Sequence, residues 1–267
     1  MLKINSFKSL IKQGFNLKFK LSKNIILPLI SFIIFLIIWE LVCNFKLINP
    51  LFISSPSRIF KAAIWLFNNG FWNDIKVSTT EFVWGFLFAV ILGIPLGICV
   101  GWYQTLELIL DPFISALYAT PRVALLPLLI LWLGIGIKSK IAVVFLGCIF
   151  PLLVNTITGM KTLDSILLKC AKCFGANDYQ IFTTIAIPSS IPFIISGMRL
   201  AVGRGLVGVV VGELVASTAG VGHMMSIAGS TFQTDKLFVG IIFLAGSGYV
   251  LTEILKKLEK MFDKWRS

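Results

Sequence analysis

The chain is poor in histidine and poor in charge. It has one histidine, 12 acidic residues against 24 basic ones, and 13% charged residues in all. Soluble domains carry about 25% charged residues. A sequence this short of charge and 57% hydrophobic is expected to be an integral membrane protein. The single histidine, His223, cannot build a metal centre alone. No Ser/His/Asp arrangement, paired carboxylates, phosphate-binding Gly-rich loop or dinucleotide fingerprint occurs, so the sequence gives no support for an enzyme. A net charge of +12 would direct a soluble protein toward nucleic acid. Here the basic residues flank apolar runs, where topology and anionic membrane lipid account for them, and no nucleic-acid partner is expected. Of the five cysteines, Cys170 and Cys173 form a C-x-x-C pair with no second pair and no histidine beside it. Small helix-filling residues are a better reading of that pair than a metal or redox site. A convincing signal peptide is also missing. The apolar run starts only near Ile25, no small-x-small site follows it, and bulky Val42 precedes Cys43.

What is present is a series of apolar runs. Residues 1–24 hold six lysines and no acid, interleaved with apolar side chains, and read either as a basic amphipathic cytoplasmic arm or as a disordered tail. Span one is expected over Ile25–Phe45. Residues 46–78 form an outer-face segment in which Ser54-Ser55-Pro56-Ser57 starts a short helix. Span two, about Thr79–Trp102, carries Gly93, Gly97 and Gly101 at four-residue spacing, which suits close approach of another helix. Span three begins near Leu106 and is interrupted at Asp111-Pro112, Pro121 and Pro127. Proline costs a helix hydrogen bond, and the freed carbonyls need protein or water. Such a break points either to a translocation path or to a kinked packing helix. Span four is placed over Ser139–Met160, span five over Ile191–Ala216 and span six over Leu237–Leu255, with a basic tail at 256–267. Arg199, Arg204 and Glu213 lie inside span five. Charges at membrane depth seek a partner helix or an aqueous cavity. Arg204 and Glu213 are nine residues apart, on opposite faces of one helix, so each needs a different partner.

The longest polar break in the second half runs from Ser165 to Pro192. It reads as a short amphipathic helix, a Gly-Ala-Asn turn, a second short helix and a proline-marked return to apolar sequence. Leu167, Ala171 and Phe174 share one face of the first helix. Such a helix either lies on the bilayer or buries its stripe in another protein. Six spans put both termini on one side. Fourteen Lys and Arg fall on the side holding the termini and the central break, against seven opposite. The positive-inside rule makes that side cytoplasmic. Lys138 and Lys140 lie outside in this arrangement.

The central break resembles the EAA loop of ABC-importer permeases: Glu-Ala-Ala, three residues, Gly, nine residues, then Ile-x-Leu-Pro. Lys169 stands at the family's Glu, Cys170 at its first Ala, Ala171 at the second, Gly175 at the Gly, and Ile185-Ala186-Ile187-Pro188 closes the motif. The Pro121-Arg122-Val123-Ala124-Leu125-Leu126-Pro127 run through Gly136, and Met198-Arg199-Leu200 leading into Val211-Gly212-Glu213, are similar to the nitrate/sulfonate/taurine group of these permeases. The match spans roughly residues 50–255. The resemblance implies an all-α polytopic membrane protein of the type I ABC-importer permease fold, with a permease core over 79–255 and a coupling loop over 161–188. It further implies a bacterial-type inner membrane location and a second permease subunit, expected to be an identical copy. A cytoplasmic ABC ATPase dimer would hold the ATP, this chain binding no cofactor or metal, and an extracytoplasmic binding protein would deliver the solute. The expected cargo is a small solute, an anion such as nitrate, a sulfonate or taurine. Coupling to the ATPase would fall to Leu167, Lys169, Ala171, Phe174, Gly175, Ala176, Asp178 and Pro188. The translocation path would include Pro121, Arg122, Arg199, Arg204 and Glu213. An ATP-independent secondary transporter or channel is the alternative, in which the loop helix rests on lipid.

Overall fold

The computed structural model describes residues 26–45, 48–49 and 51–262. The expected arm over 1–24 lies outside the described residues, as do the last five of the tail. The described residues form α1 (Ile26–Asn44), α2 (Pro56–Asn68), α3 (Phe71–Trp102), α4 (Gln104–Ala119), a 3-10 turn (Arg122–Leu125), α5 (Leu126–Leu133), α6 (Ile137–Lys161), α7 (Ser165–Cys173), α8 (Asp178–Ile181), a π turn (Phe182–Ala186), α9 (Ile187–Ala216), α10 (Val221–Ser230) and α11 (Thr234–Phe262). Among the described residues, five helices are long and apolar enough to cross a membrane, or six if α4 and α5, bent by 89° from one another, count as one span.

The bundle is built around α6, which packs along α3 on one side and α9 on the other. Phe82 and Ala89 of α3, Val144, Cys148 and Leu152 of α6, and Ala201, Val202 and Val209 of α9 form the central core. Glycine allows the α3–α6 approach. A Cβ at Gly97 would stand 2.6 Å from Thr156 Cβ, and one at Gly101 2.6 Å from Met160 Cβ. Gly93 has more room, with Ile149 Cγ1 3.3 Å away. Gly85, two steps earlier in the same row with Ala89 between, meets Val144 Cβ at 2.6 Å. The four-residue glycine row is therefore a helix-packing face, as its spacing predicts.

Several boundaries differ from the sequence reading. Helix α3 begins at Phe71 rather than Thr79, because its first two turns pack Phe71 and Ile75 into a satellite core with Ile59, Leu66, Val221 and Val239. The broken span breaks once, at Thr120-Pro121. Pro112 stays inside α4, and Pro127 occupies the first turn of α5, where its missing N–H has no helical partner to lose. The Gly/Ser/Thr-rich segment between spans five and six, residues 217–235, contains α10, a ten-residue helix. Its Gly, Ser and Met content hid it from periodicity. Helix α2 starts as expected: Ser55 caps it, Pro56 fills the first turn, and Glu40 of α1 accepts from Ser57 N–H at 3.0 Å and Ser57 Oγ at 2.7 Å.

Gly97→Ile should displace α6 and lower stability by about 1–3 kcal/mol, read as a fall in the thermal unfolding midpoint in detergent. Gly246→Ile on α11, where a Cβ meets nothing within 4 Å, should leave the midpoint unchanged.

Candidate functional site

Three groups of polar or exposed residues stand out against this apolar bundle. The first is the loop between α6 and α9. Asp164 caps α7 by accepting from Ile166 N–H at 2.7 Å. Gly175, at φ +79°, ends the helix: its N–H donates to Lys172 O, and Ala176 N–H donates to Ala171 O. That bond pair is a Schellman cap, whose left-handed position glycine occupies without steric penalty. Asn177 and Gln180 then form a reciprocal capping box that starts α8. Both ends of α7 are thus fixed by local hydrogen bonds, yet none of its residues is buried. Ile166, Leu167 and Tyr179 are exposed, and Phe174 is 93% exposed. Of the expected coupling residues, Leu167, Lys169, Phe174, Gly175 and Asp178 are exposed, while Ala171 and Ala176 are half-buried. The apolar stripe is therefore Ile166, Leu167 and Phe174, with Ala171 turned partly inward.

Pro188 stands in the first turn of α9, and α9 runs on from α8 without an interruption. Asp178–Val215 is one continuous rod. The π turn at Phe182–Ala186 lies immediately before Pro188, and Ile187 N–H donates back to Phe182 O. In a regular turn the proline ring would press on the carbonyl four residues back; the wider turn relieves that contact. Phe182 meets Trp102 at the end of α3 edge-on, with ring centroids 4.9 Å apart.

The second group lies at the opposite end, around the start of α10. Ser78 Oγ donates to Glu213 Oε1 at 2.6 Å and accepts from Val221 N–H at 2.9 Å. Glu213 Oε2 accepts from Gly222 N–H at 2.6 Å, and Asp74 Oδ1 accepts from Gly220 N–H at 2.9 Å. Carboxylates and a hydroxyl from α3 and α9 thus satisfy the unpaired N–H groups at a helix start and complement its dipole. Beside them, Lys140 Nζ sits 2.7 Å from Glu81 Oε1 and donates to Ser217 Oγ at 2.8 Å. Glu81, Lys140 and Glu213 are all buried. Glu213 therefore belongs to this buried network and is not part of the Arg122/Arg204 cavity described below. Lys140, counted outside by charge, is buried against α3 and α9. Glu81 escaped attention in the sequence, although it is the one charged residue in 79–102. That isolation is the signal that could have found it.

The third group surrounds the α4–α5 break. Pro121, Arg122 and Arg204 line one cavity of about 370 Å³, with Tyr118, Gly147, Val207 and Val211 among the other walls. Gly147 and Arg204 sit near the middles of α6 and α9, which puts the cavity near mid-height of the bundle. The Arg122 guanidinium carbon lies 5.4 Å from the Tyr118 ring centroid and 5.8 Å from that of Phe150. Arg199 is elsewhere, paired with Glu259 of α11 at 2.7 Å. The five residues expected along the path thus separate into a cavity set, an interhelical ion pair and the α10 clamp.

Residues 89–264 match the model of the binding-protein-dependent transport system inner membrane component. The chain belongs to this permease family. It is 30% identical over 254 residues to the taurine transport system permease protein TauC of Escherichia coli, covering 93% of this chain and 92% of the relative. It is 32% identical over 248 residues to the putative aliphatic sulfonates transport permease protein SsuC of Bacillus subtilis, covering 92% of this chain and 88% of the relative. A putative ABC transporter permease of Methanocaldococcus jannaschii is 30% identical over 261 residues, covering 96% and 97%. Among solved structures, an inward-facing MetNI methionine ABC transporter superposes with TM-score 0.60 at 15% identity, covering 74% of this permease and 96% of that chain. A crystal structure of an amino acid ABC transporter superposes with TM-score 0.56 at 15% identity, covering 75% and 96%. The permease thus has the type I ABC-importer fold, and its relatives are transport permeases rather than enzymes.

The Glu81–Lys140 pair supplies a stability test. Lys140→Met leaves a buried carboxylate without its partner and should cost about 3–5 kcal/mol, whereas Lys140→Met with Glu81→Leu should recover most of that loss. Unfolding midpoints of the two single variants and the double variant measure the coupling.

Proposed function

We propose that this permease subunit pairs with a second copy and forms the path by which an ATP-driven importer moves a small organic anion into the cell. The α7–α8 loop docks on a separate ATPase dimer in the cytoplasm, and an extracytoplasmic binding protein delivers the solute. Both termini then lie in the cytoplasm. The observation that carries this reading is Phe174: an aromatic side chain, 93% exposed, at the end of a doubly capped helix that buries nothing of its own. Fixing an apolar stripe so firmly in an exposed position favours a preformed partner groove over lipid. Burying Phe174 fully would contribute about 1.5–3 kcal/mol per copy. Lys169, Gly175 and Asp178 would border that contact. The Glu-to-Lys change at Lys169 requires either an acid in the facing groove or a position in water.

Closure of the ATPases would draw the two loops together and tilt the α8–α9 rods, while the Phe182–Trp102 contact ties the same motion to α3. This is a packed element with two arrangements, biased at a distance. The anionic cargo is supported by relatives named for taurine and aliphatic sulfonates and by two arginines at a mid-height cavity.

Phe174→Asp should abolish co-purification of the ATPase while the permease still inserts in the membrane. Gly175→Glu places a side chain at φ +79° and projects it toward the partner; substrate-stimulated ATPase activity of the reconstituted complex should fall to the basal level. Normal stimulation in that complex would sink the coupling assignment.

A further inference from the structure

We propose that the Arg122/Arg204 cavity is a binding station for the anionic end of the solute, with Arg122 held in advance to receive one sulfonate or similar oxyanion. This rests on the importer reading above and goes further in naming the residues and the part of the solute that they read.

The first support is charge accounting. Lys140 pairs with Glu81, Arg199 pairs with Glu259, and Glu213 is satisfied by Ser78 and Gly222. Arg122 and Arg204 are the exceptions in this part of the bundle. Neither makes an ion pair among the described residues, and no acid lines their cavity. Two like charges facing one space at membrane depth repel each other and lack the solvation that water would give. One bound anion offsets both.

The second support is the posture of Arg122. It rests by the Tyr118 and Phe150 rings, where cation–π attraction holds the guanidinium plane. One Nη donates to Tyr118 O at a long 3.4 Å, and Nε is buried with no acceptor. A guanidinium fixed by aromatic rings, with only one long hydrogen bond of its own, has terminal amino groups left to fork onto an oxyanion. The remaining walls are mostly small or apolar, including Val143, Val207 and Val211. They can accommodate a short alkyl tail and offer no carboxylate to an ammonium group. The station should therefore read the anionic head and ignore an amine at the far end.

The test uses the permease–ATPase complex in detergent, without the binding protein, titrated calorimetrically with ethanesulfonate, taurine and neutral ethanesulfonamide. Ethanesulfonate and taurine should bind with Kd values within about threefold of each other, and the sulfonamide should not bind. Arg122→Gln and Arg204→Gln should each weaken ethanesulfonate about 10- to 100-fold, the loss expected of a charge-assisted hydrogen bond. Arg122→Lys, which keeps the charge but not the fork, should fall between wild type and Arg122→Gln. Lys138→Gln, which removes an exposed charge outside the cavity, should bind as wild type does. Co-elution with the ATPase verifies that each variant is folded. Equal binding of the sulfonamide, or undiminished binding by both glutamine variants, overturns the station. ATP-driven sulfonate uptake by the wild-type importer is a separate arm: its absence counts against the importer reading, while the station is judged on binding alone.

Discussion

The structure depends on how closely α6 lies to its two neighbours. Where Gly97 and Gly101 face Thr156 and Met160, no Cβ fits, so α3 and α6 meet nearly backbone to backbone. The fit of α9 is also tight: a Cβ at Gly205 would stand 2.6 Å from Cys148 Sγ and one at Gly208 3.2 Å from Val144 Cα. In lipid there is little hydrophobic drive to bring apolar helices together, so dispersion over such tight contacts must supply the association. With this three-helix centre fixed, the other features have defined positions. The α4–α5 break leans against α6, α10 closes over α3 and α9, and α7 hangs from the ends of α6 and α9.

The two polar centres follow opposite rules. At the α10 end, each carboxylate faces a donor or an opposite charge: Glu213 takes Ser78 and Gly222, and Glu81 is ion-paired with Lys140. The arrangement is closed, and it fastens a helix that comes back toward the bundle without crossing it. At the α4–α5 break, charge is left open on one side of a cavity, and the aromatic neighbours hold its geometry rather than neutralise it. A satisfied network specifies structure; an unsatisfied one of a single sign invites a ligand.

Much of this was legible in the sequence, and the failures have physical causes. The glycine row, the break at Pro121, the capped start of α2, and the helix–glycine–helix loop each rest on a local rule: steric room, a missing N–H, a cap, a left-handed turn. Local rules survive folding. Helix α10 was missed because its end groups are satisfied by Asp74, Ser78 and Glu213. All three are distant in sequence, and its own composition is that of a loop. Pro188 is in the first turn of α9, as the motif implies, and what the sequence did not show is the continuity of the rod before it. Proline ends helices locally, but a π turn just before it lets this one continue. Lys140 was counted on the side opposite the loop, and α6 places it at that end; its partner, the buried Glu81 on another helix, is invisible to topology rules, which see sequence neighbours. Arg199 and Glu213 were grouped with Arg204 by proximity along the chain, and the structure gives each a different environment.

The continuity of the rod through Pro188 has a mechanical consequence. From Phe182, where the loop touches α3, to Arg204, at the cavity, is 22 residues of helix. At 1.5 Å per residue that is a lever about 33 Å long. A tilt of about 10° imposed at the loop end would carry the guanidinium of Arg204 sideways by roughly 6 Å. That is about the width of the anion it would hold. Arg122 sits on the other side of the break, on a segment outside the rod, so the same tilt changes the spacing of the two cations. Bound and released solute would then be two lengths of one gap, set by the angle of a single helix.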